Sequence, residues 1–137
     1  MNPVSVKFLE ICKKKNFSAE ILNSVISELK KFSFEIIDVQ DTPGFLINKI
    51  IFKDISYFFY LIEVEKFDVH TVLQIFKSDV KKINPIKLVN IIGVDTALYI
   101  LKNLHEYNES YYVPELLKKS VSLNILGNKN RKLFAIW

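Results

Sequence analysis

Residues 41–49 read DTPGFLINK, and in this stretch a turn gives way to an apolar helix. The first four residues are of the types that close a strand and form a tight turn. Beyond them, apolar residues recur at helical spacing as far as about residue 65, around much of the helix circumference. The stretch therefore predicts a long central helix over residues 45–65.

Upstream of this stretch, the pattern predicts a strand, a helix and a second strand. Apolar and polar residues alternate over residues 4–9, which is typical of a half-buried strand. Ser18 can cap a helix that ends near Phe32, and residues 34–39 form the second strand. Because two strands alone are marginal in water, we expect the edge of a sheet whose remainder is absent or is supplied by another chain.

Downstream of the central helix, the sequence predicts further helices, and each begins at a recognisable residue. The expected caps and first-turn residues are Asp68, Pro85, Asp95 and Pro114. Gly93 breaks the pattern between the second and the third of these helices. The fold class is therefore mainly α, with a small strand-helix-strand piece followed by four or five helices.

Length and charge exclude several classes of protein. With 137 residues, of which 50% are hydrophobic, the chain can bury one core but is short for two. No apolar stretch is long enough to span a bilayer and the N-terminus does not resemble a secretory signal, so we expect a cytoplasmic protein without membrane contact. The net charge of +4 is spread along the chain. Nucleic acid is therefore not expected as a partner, and a basic helical nucleic-acid binder is the weakest hypothesis.

Cysteine, histidine and glycine exclude further kinds of site. Cys12 is the single cysteine and the chain has two histidines, so neither an internal disulfide nor a zinc-ligand set is predicted. The three glycines lie far apart, whereas cradling a diphosphate at a helix start requires several within a few residues. We therefore expect no metal and no nucleotide-binding loop.

Three segments, in order and at matching spacing, resemble the 3-hydroxyacyl-CoA dehydrogenases. The resemblance runs over almost the whole chain. Its most specific segment is DTPGFLINK, which is similar to the family's Asp-x-Pro-Gly-Phe followed by two hydrophobic residues, Asn and Arg. The matching segments are residues 2–4 with 8–11, residues 41–49, and residues 91–96 with 114–117 and 126–129.

In that family a nicotinamide-binding Rossmann domain comes first and a helical C-terminal domain follows. The resemblance implies that residues 1–42 are a strand-helix-strand remnant of a Rossmann domain edge. It also implies that residues 43–137 form the helical C-terminal domain as one compact unit. By itself the chain is then expected to bind no cofactor, and NAD would reach the site only through a partner chain.

The resemblance also implies two site residues. Glu10 matches the carboxylate that orients the family's catalytic histidine, and Asn48 matches a polar group near the substrate. The histidine itself falls upstream of Met1, so a partner would supply it. Such a histidine takes the proton of the 3-hydroxyl as hydride leaves, and a carboxylate behind it favours the imidazolium. Alternatively, Glu10 is a strand-end carboxylate turned to water and Asn48 hydrogen-bonds within its own turn.

The sequence departs from the family pattern at three places. The stretch from Asn2 to Glu10 is one residue shorter than usual, which affects the strand register. The family's Gly-Pro-Phe appears as residues 84–86, NPI, and its closing Gly-x-Gly-Phe-Tyr appears as residues 131–135, RKLFA. The last two changes remove glycine, which is expected of a chain released from catalysis and, alternatively, of divergence alone.

Two functions follow from the resemblance. The first is the substrate-side and dimerisation half of an NAD-dependent 3-hydroxyacyl-CoA oxidoreductase of fatty acid metabolism, not competent alone and completed by a separate Rossmann-type dehydrogenase chain. The alternative is a noncatalytic acyl-CoA-binding or dimerising scaffold derived from that family. In both cases we expect a homodimer and acyl-CoA as the candidate ligand, because the orphan strands and the apolar central helix offer more apolar surface than a monomer of this size hides.

Overall fold

The computed structural model describes residues 7–13, 18–78 and 83–136, without the side chain of Lys7. The chain divides into two compact units, the N-terminal unit Met1–Asn48 and the helical unit Lys49–Trp137. The elements, in chain order, are β1 (Lys7–Cys12), α1 (Ala19–Lys31), β2 (Phe34–Val39), α2 (Ile47–Glu63), α3 (Val69–Lys77), α4 (Pro85–Ile92), α5 (Val94–Tyr107) and α6 (Glu115–Ser122). The mainly α prediction, with a small strand-helix-strand piece first, is confirmed.

The N-terminal unit is a strand-helix-strand motif. Strands β1 and β2 pair in parallel, with Glu10 opposite Ile37, and parallel neighbours require a crossover such as α1. The Ser18 hydroxyl accepts a hydrogen bond from the backbone N–H of Ile21 at 3.5 Å, and Phe32 is the C-cap of α1. The predicted bounds of α1 and β2 are therefore confirmed.

The first strand differs from its prediction over residues 4–9. Residues 4–6 lie outside the described residues, and the described strand continues to Cys12 instead of ending at Leu9. It continues because every residue of β1 has a partner in β2, as far as Cys12 opposite Val39. Pairing with the neighbouring strand determines where β1 ends, and the alternation of side chains along the sequence does not predict this pairing.

The described part of the N-terminal unit has no core of its own. None of residues 8–13 and 18–48 is buried. Large apolar side chains on the strand and helix are open to solvent, with exposed fractions of 50% for Phe8, 56% for Ile21 and 45% for Val25. Parallel sheets normally have both faces covered by other elements. The two strands and α1 therefore expose apolar surface of the kind that is normally buried.

The helical unit, in contrast, is organised around α2, as predicted for a central helix. Phe52, Ile55, Phe58 and Phe59 are at most 1% exposed. The ring of Phe58 meets that of Phe76 of α3 edge-on, with centroids 5.4 Å apart. The later helices contribute to the buried hydrophobic cluster the residues Val72, Phe76, Val89, Val94, Ala97, Leu98, Leu101, Leu104 and Leu117.

The predicted starts of these helices are confirmed at Asp68, Pro85 and Pro114. The predicted cap at Asp95 is wrong. Helix α5 begins at Val94, and its cap is Gly93, whose positive φ of 100° suits glycine. Asp95 therefore lies in the first turn, where its carboxylate receives the Lys129 Nζ at 2.8 Å.

The C-terminal tail is attached to α4 through Asn90. The Asn90 side chain donates from Nδ2 to the Phe134 carbonyl at 2.9 Å and accepts at Oδ1 from the Phe134 N–H at 2.8 Å. This pair of bonds holds the Phe134 ring in the core, where it is 4% exposed. Within the described ranges, no helix combines the length and apolar character that crossing a membrane requires.

Candidate functional site

The DTPGFLINK stretch forms a tight turn that leads directly into α2. The Phe45 N–H donates to the Thr42 carbonyl at 2.9 Å, which closes the turn. Gly44 and Phe45 both have positive φ, 77° and 44°. Glycine adopts this conformation readily, whereas for a residue with a side chain it costs roughly 1–2 kcal/mol. The turn is therefore a strained entry to the helix and needs contacts that hold it.

Glu10 provides such a contact from β1. Its Oε1 accepts hydrogen bonds from the backbone N–H groups of Leu46 at 2.6 Å and Ile47 at 2.9 Å. The first N–H groups of a helix have no partner inside the helix, and a carboxylate there is also favoured by the helix dipole. Because α2 has no acidic residue in its own first turn, Glu10 supplies this charge from 36 positions away.

The structure thus gives Glu10 a contact that neither sequence hypothesis included. The residue is half-buried in the middle of its pairing with β2, so the hypothesis of a strand-end carboxylate turned to water is wrong. Its second oxygen, Oε2, makes no hydrogen bond with the described residues. The role of orienting a histidine stays a prediction.

Asn48 is the second residue of α2, directly after one of the two amides that Glu10 holds. Its side chain is exposed and makes no hydrogen bond to the residues that the structure describes. The alternative role, a hydrogen bond within its own turn, is therefore absent from this part of the chain. An exposed amide with a free donor and a free acceptor can contact a polar ligand group directly.

In the helical unit, a depression of about 480 Å³ begins one residue after Asn48 and is lined by Lys49, Lys53 and Tyr111 among others. The Lys53 ammonium donates to the carbonyl and hydroxyl oxygens of Ser110 at 2.8 and 2.9 Å, and it lies 4.8 Å from the centre of the Tyr111 ring. These contacts give Lys53 a structural role, because its ammonium joins α2 to the segment of Ser110 and Tyr111. The described residues contain no group of three His, Cys, Asp or Glu side chains that could hold a metal.

A second carboxylate in the helical unit caps a helix in the same way as Glu10. Glu63, the last residue of α2, accepts from the N–H groups of Glu115 at 2.8 Å and Leu116 at 3.2 Å, which begin α6. It also accepts from the Tyr112 hydroxyl at 2.8 Å. Burial, and then this hydrogen bond to Glu63, raise the pKa of Tyr112. Sequence reasoning missed both capping contacts, since neither carboxylate lies near the start of the helix it caps along the chain.

Comparison with known proteins identifies the class. The model of the 3-hydroxyacyl-CoA dehydrogenase C-terminal domain matches residues 44–137, which is more than half of the chain. The chain belongs to this family, and the resemblance read from DTPGFLINK is confirmed.

The chain is similar along nearly its whole length to individual dehydrogenases. It is 30% identical over 138 residues to a probable 3-hydroxybutyryl-CoA dehydrogenase of Bacillus subtilis (strain 168), covering 98% of this chain and 48% of that protein. It is 26% identical over 140 residues to the mitochondrial hydroxyacyl-coenzyme A dehydrogenase of Homo sapiens, covering 97% and 44%. The chain therefore spans about half the length of these relatives.

The fold agrees with this assignment. The crystal structure of (S)-3-hydroxybutyryl-CoA dehydrogenase from Ralstonia eutropha superposes with a TM-score of 0.80 at 21% identity, over 96% of this chain and 49% of that one. Because nearly all of the chain is covered, the likeness includes the strand-helix-strand piece as well as the helical unit. The predicted fold, a helical C-terminal-like domain preceded by that piece, is confirmed.

Proposed function

We propose that this chain is the substrate-side and dimerisation half of an NAD-dependent 3-hydroxyacyl-CoA oxidoreductase, and that it is not competent alone. The observation that carries the proposal is the parallel strand pair of the N-terminal unit, in which no described residue is buried. Parallel strands occur almost only in sheets covered on both faces. In this proposal, the surface around Phe8 and α1 is where a partner chain that carries the rest of a Rossmann domain packs.

In this proposal the two halves divide the chemistry. NAD on the partner chain would supply the hydride acceptor for oxidation at C3 of a 3-hydroxyacyl-CoA, and a histidine of the partner would take the proton of the 3-hydroxyl. Asn48 contributes an exposed amide that hydrogen-bonds the oxygen functions of the acyl group. Glu10 contributes the carboxylate behind the histidine, which stabilises the imidazolium as it forms.

Substrate binding is tested by isothermal titration of the 137-residue chain with acetoacetyl-CoA, with coenzyme A alone as the control ligand. We expect binding that requires the acyl group and that Asn48→Ala weakens about tenfold, the value of one lost hydrogen bond between Asn48 and the ligand. Asn103→Ala on α5 is the matched control. Absence of acetoacetyl-CoA binding, or equal binding by the Asn48 variant, would contradict the substrate-side assignment.

Association is tested separately by pull-down from native extract with the tagged chain, followed by mass spectrometry. We expect recovery of a Rossmann-type dehydrogenase chain, and loss of that recovery when Phe8 and Val25 on the uncovered layer are changed to Asp. Recovery of no such chain by the unaltered protein would contradict the proposed split. Adding NADH to the titration sharpens the result, because only the complex is expected to couple nicotinamide and acyl-CoA binding.

A noncatalytic scaffold is the second candidate function, and one observation favours it. The helical unit has a closed core built from its own helices, so it requires nothing from the N-terminal unit for its packing. Its surface also exposes large apolar side chains, among them Ile50 at 58%, Tyr99 at 67% and Leu133 at 64%. We expect these to contribute to a homodimer, which sedimentation at micromolar concentration tests. A dimer that neither binds acetoacetyl-CoA nor recovers a dehydrogenase chain would establish the scaffold.

A further inference from the structure

The two oxygens of the Glu10 carboxylate have different surroundings. Oε1 accepts both described hydrogen bonds, from the N–H groups of Leu46 and Ile47. Oε2 accepts none from the described residues. A carboxylate whose only task is to orient a histidine would not need to face the start of a helix, so this asymmetry requires its own explanation.

Those two amides immediately precede Asn48. The entry turn before them has positive φ at Gly44 and Phe45, a conformation that residues with side chains adopt at a cost. The first turn of α2 contains no acidic side chain of its own. Glu10 therefore supplies a carboxylate that opposes relaxation of the turn and fraying of the helix start.

We infer that Glu10 is a positioning residue for Asn48, acting through the backbone of Leu46 and Ile47 and independently of any histidine. Oε1 fixes the first turn of α2 and with it the direction of the Asn48 amide, while Oε2 stays available to the imidazole of the partner. One carboxylate then aligns the base and the substrate-binding amide relative to each other. The effect on ligand binding rests on the proposed function, which assigns the ligand that Asn48 contacts. The effect on the start of α2 does not depend on it.

The test uses two substitutions of Glu10 that separate geometry from charge. In Glu10→Gln, the side-chain carbonyl can still accept both N–H groups, whereas Glu10→Ala leaves them without a protein partner. Glu35→Ala is the matched control, because Glu35 is an exposed glutamate of the neighbouring strand β2. Each variant is examined by hydrogen exchange at the amides of residues 46–49 and by titration with acetoacetyl-CoA. Circular dichroism verifies that the helical unit is folded.

We expect Glu10→Ala to speed exchange at these amides and to weaken acetoacetyl-CoA binding, each about tenfold. We expect Glu10→Gln and Glu35→Ala to remain within about threefold of the unaltered chain. Asn48→Ala should weaken acetoacetyl-CoA binding about tenfold without changing the exchange at these amides. Unchanged exchange in Glu10→Ala would overturn the inference whether or not the ligand binds.

The failure of this inference and that of the proposed function have different signatures. If the unaltered chain does not bind acetoacetyl-CoA, the proposed function fails, and exchange alone decides whether Glu10 positions the first turn. If the unaltered chain binds and Glu10→Ala binds equally well, the positioning role fails and the proposed function stands. If Glu10→Gln behaves like Glu10→Ala, the negative charge and not the hydrogen-bond geometry holds the turn, and the inference in its stated form is wrong.

Discussion

The N-terminal and helical units are built from similarly apolar sequence but differ in what that sequence buries. Helix α1 has an apolar face, yet Ile21 and Val25 on it are 56% and 45% exposed. In α2, Phe52 and Phe58 are 1% and 0% exposed. Amphipathic periodicity therefore identifies the face of a helix that packs, whereas burial depends on whether the partner for that face is present.

The difference in burial between the two units is tested most strongly by replacing one phenylalanine with alanine in each unit. Phe58→Ala removes a fully buried ring from α2, and we expect it to lower the free energy of unfolding by about 3–5 kcal/mol. Phe32→Ala removes a ring that is 67% exposed at the end of α1, and we expect less than about 0.5 kcal/mol. Urea unfolding followed by circular dichroism measures both. Comparable losses would mean that the N-terminal unit is covered in solution.

A buried polar contact gives the next largest effect. Asn90→Leu removes the pair of bonds that hold the backbone of Phe134, leaving a buried donor and acceptor unpaired. We expect a loss of about 2–3 kcal/mol in the free energy of unfolding. The matched change in the N-terminal unit is Asn23→Leu on α1, whose side chain is exposed, and its expected effect is within about 0.5 kcal/mol. An equally mild effect at Asn90 would show that the tail detaches in solution.

Much of the fold could be predicted from local patterns, because those patterns cause the local structure. Ser18, Asp68 and Pro85 sit at helix starts for stereochemical reasons that act within a few residues. Gly93 also acts locally, and its preference for positive φ is the reason that the predicted cap at Asp95 is two residues too late. The family motif DTPGFLINK added what periodicity could not, namely which fold these elements build.

The contacts within the candidate site could not be predicted in the same way. Glu10 meets the start of α2 across 36 residues, and Glu63 meets the start of α6 across 52. Nothing in the sequence near either glutamate or either helix indicates the pairing, since it depends on how the strands and helices pack. The sequence did single out Glu10 and Asn48, but only the structure shows that the Glu10 carboxylate binds the N–H of Ile47, the residue directly before Asn48.

The smallest expected effect is on the pH dependence of unfolding, and it concerns Tyr112 of the helical unit. The N-terminal unit contains no tyrosine. Because burial and Glu63 raise the pKa of Tyr112 above its ordinary value of 10.0, the folded chain retains a proton that the unfolded chain loses. The stabilisation is therefore complete below pH 10 and declines as pH rises above it, by up to about 1.4 kcal/mol per pH unit. Tyr112→Phe should reduce the fall in the unfolding free energy measured between pH 9.5 and 11, and Tyr99→Phe, which removes a hydroxyl from a ring that is 67% exposed, is the control substitution. If both variants keep the slope of the unaltered chain, Tyr112 ionises equally easily in the folded state, and its hydroxyl is not held against Glu63 in solution.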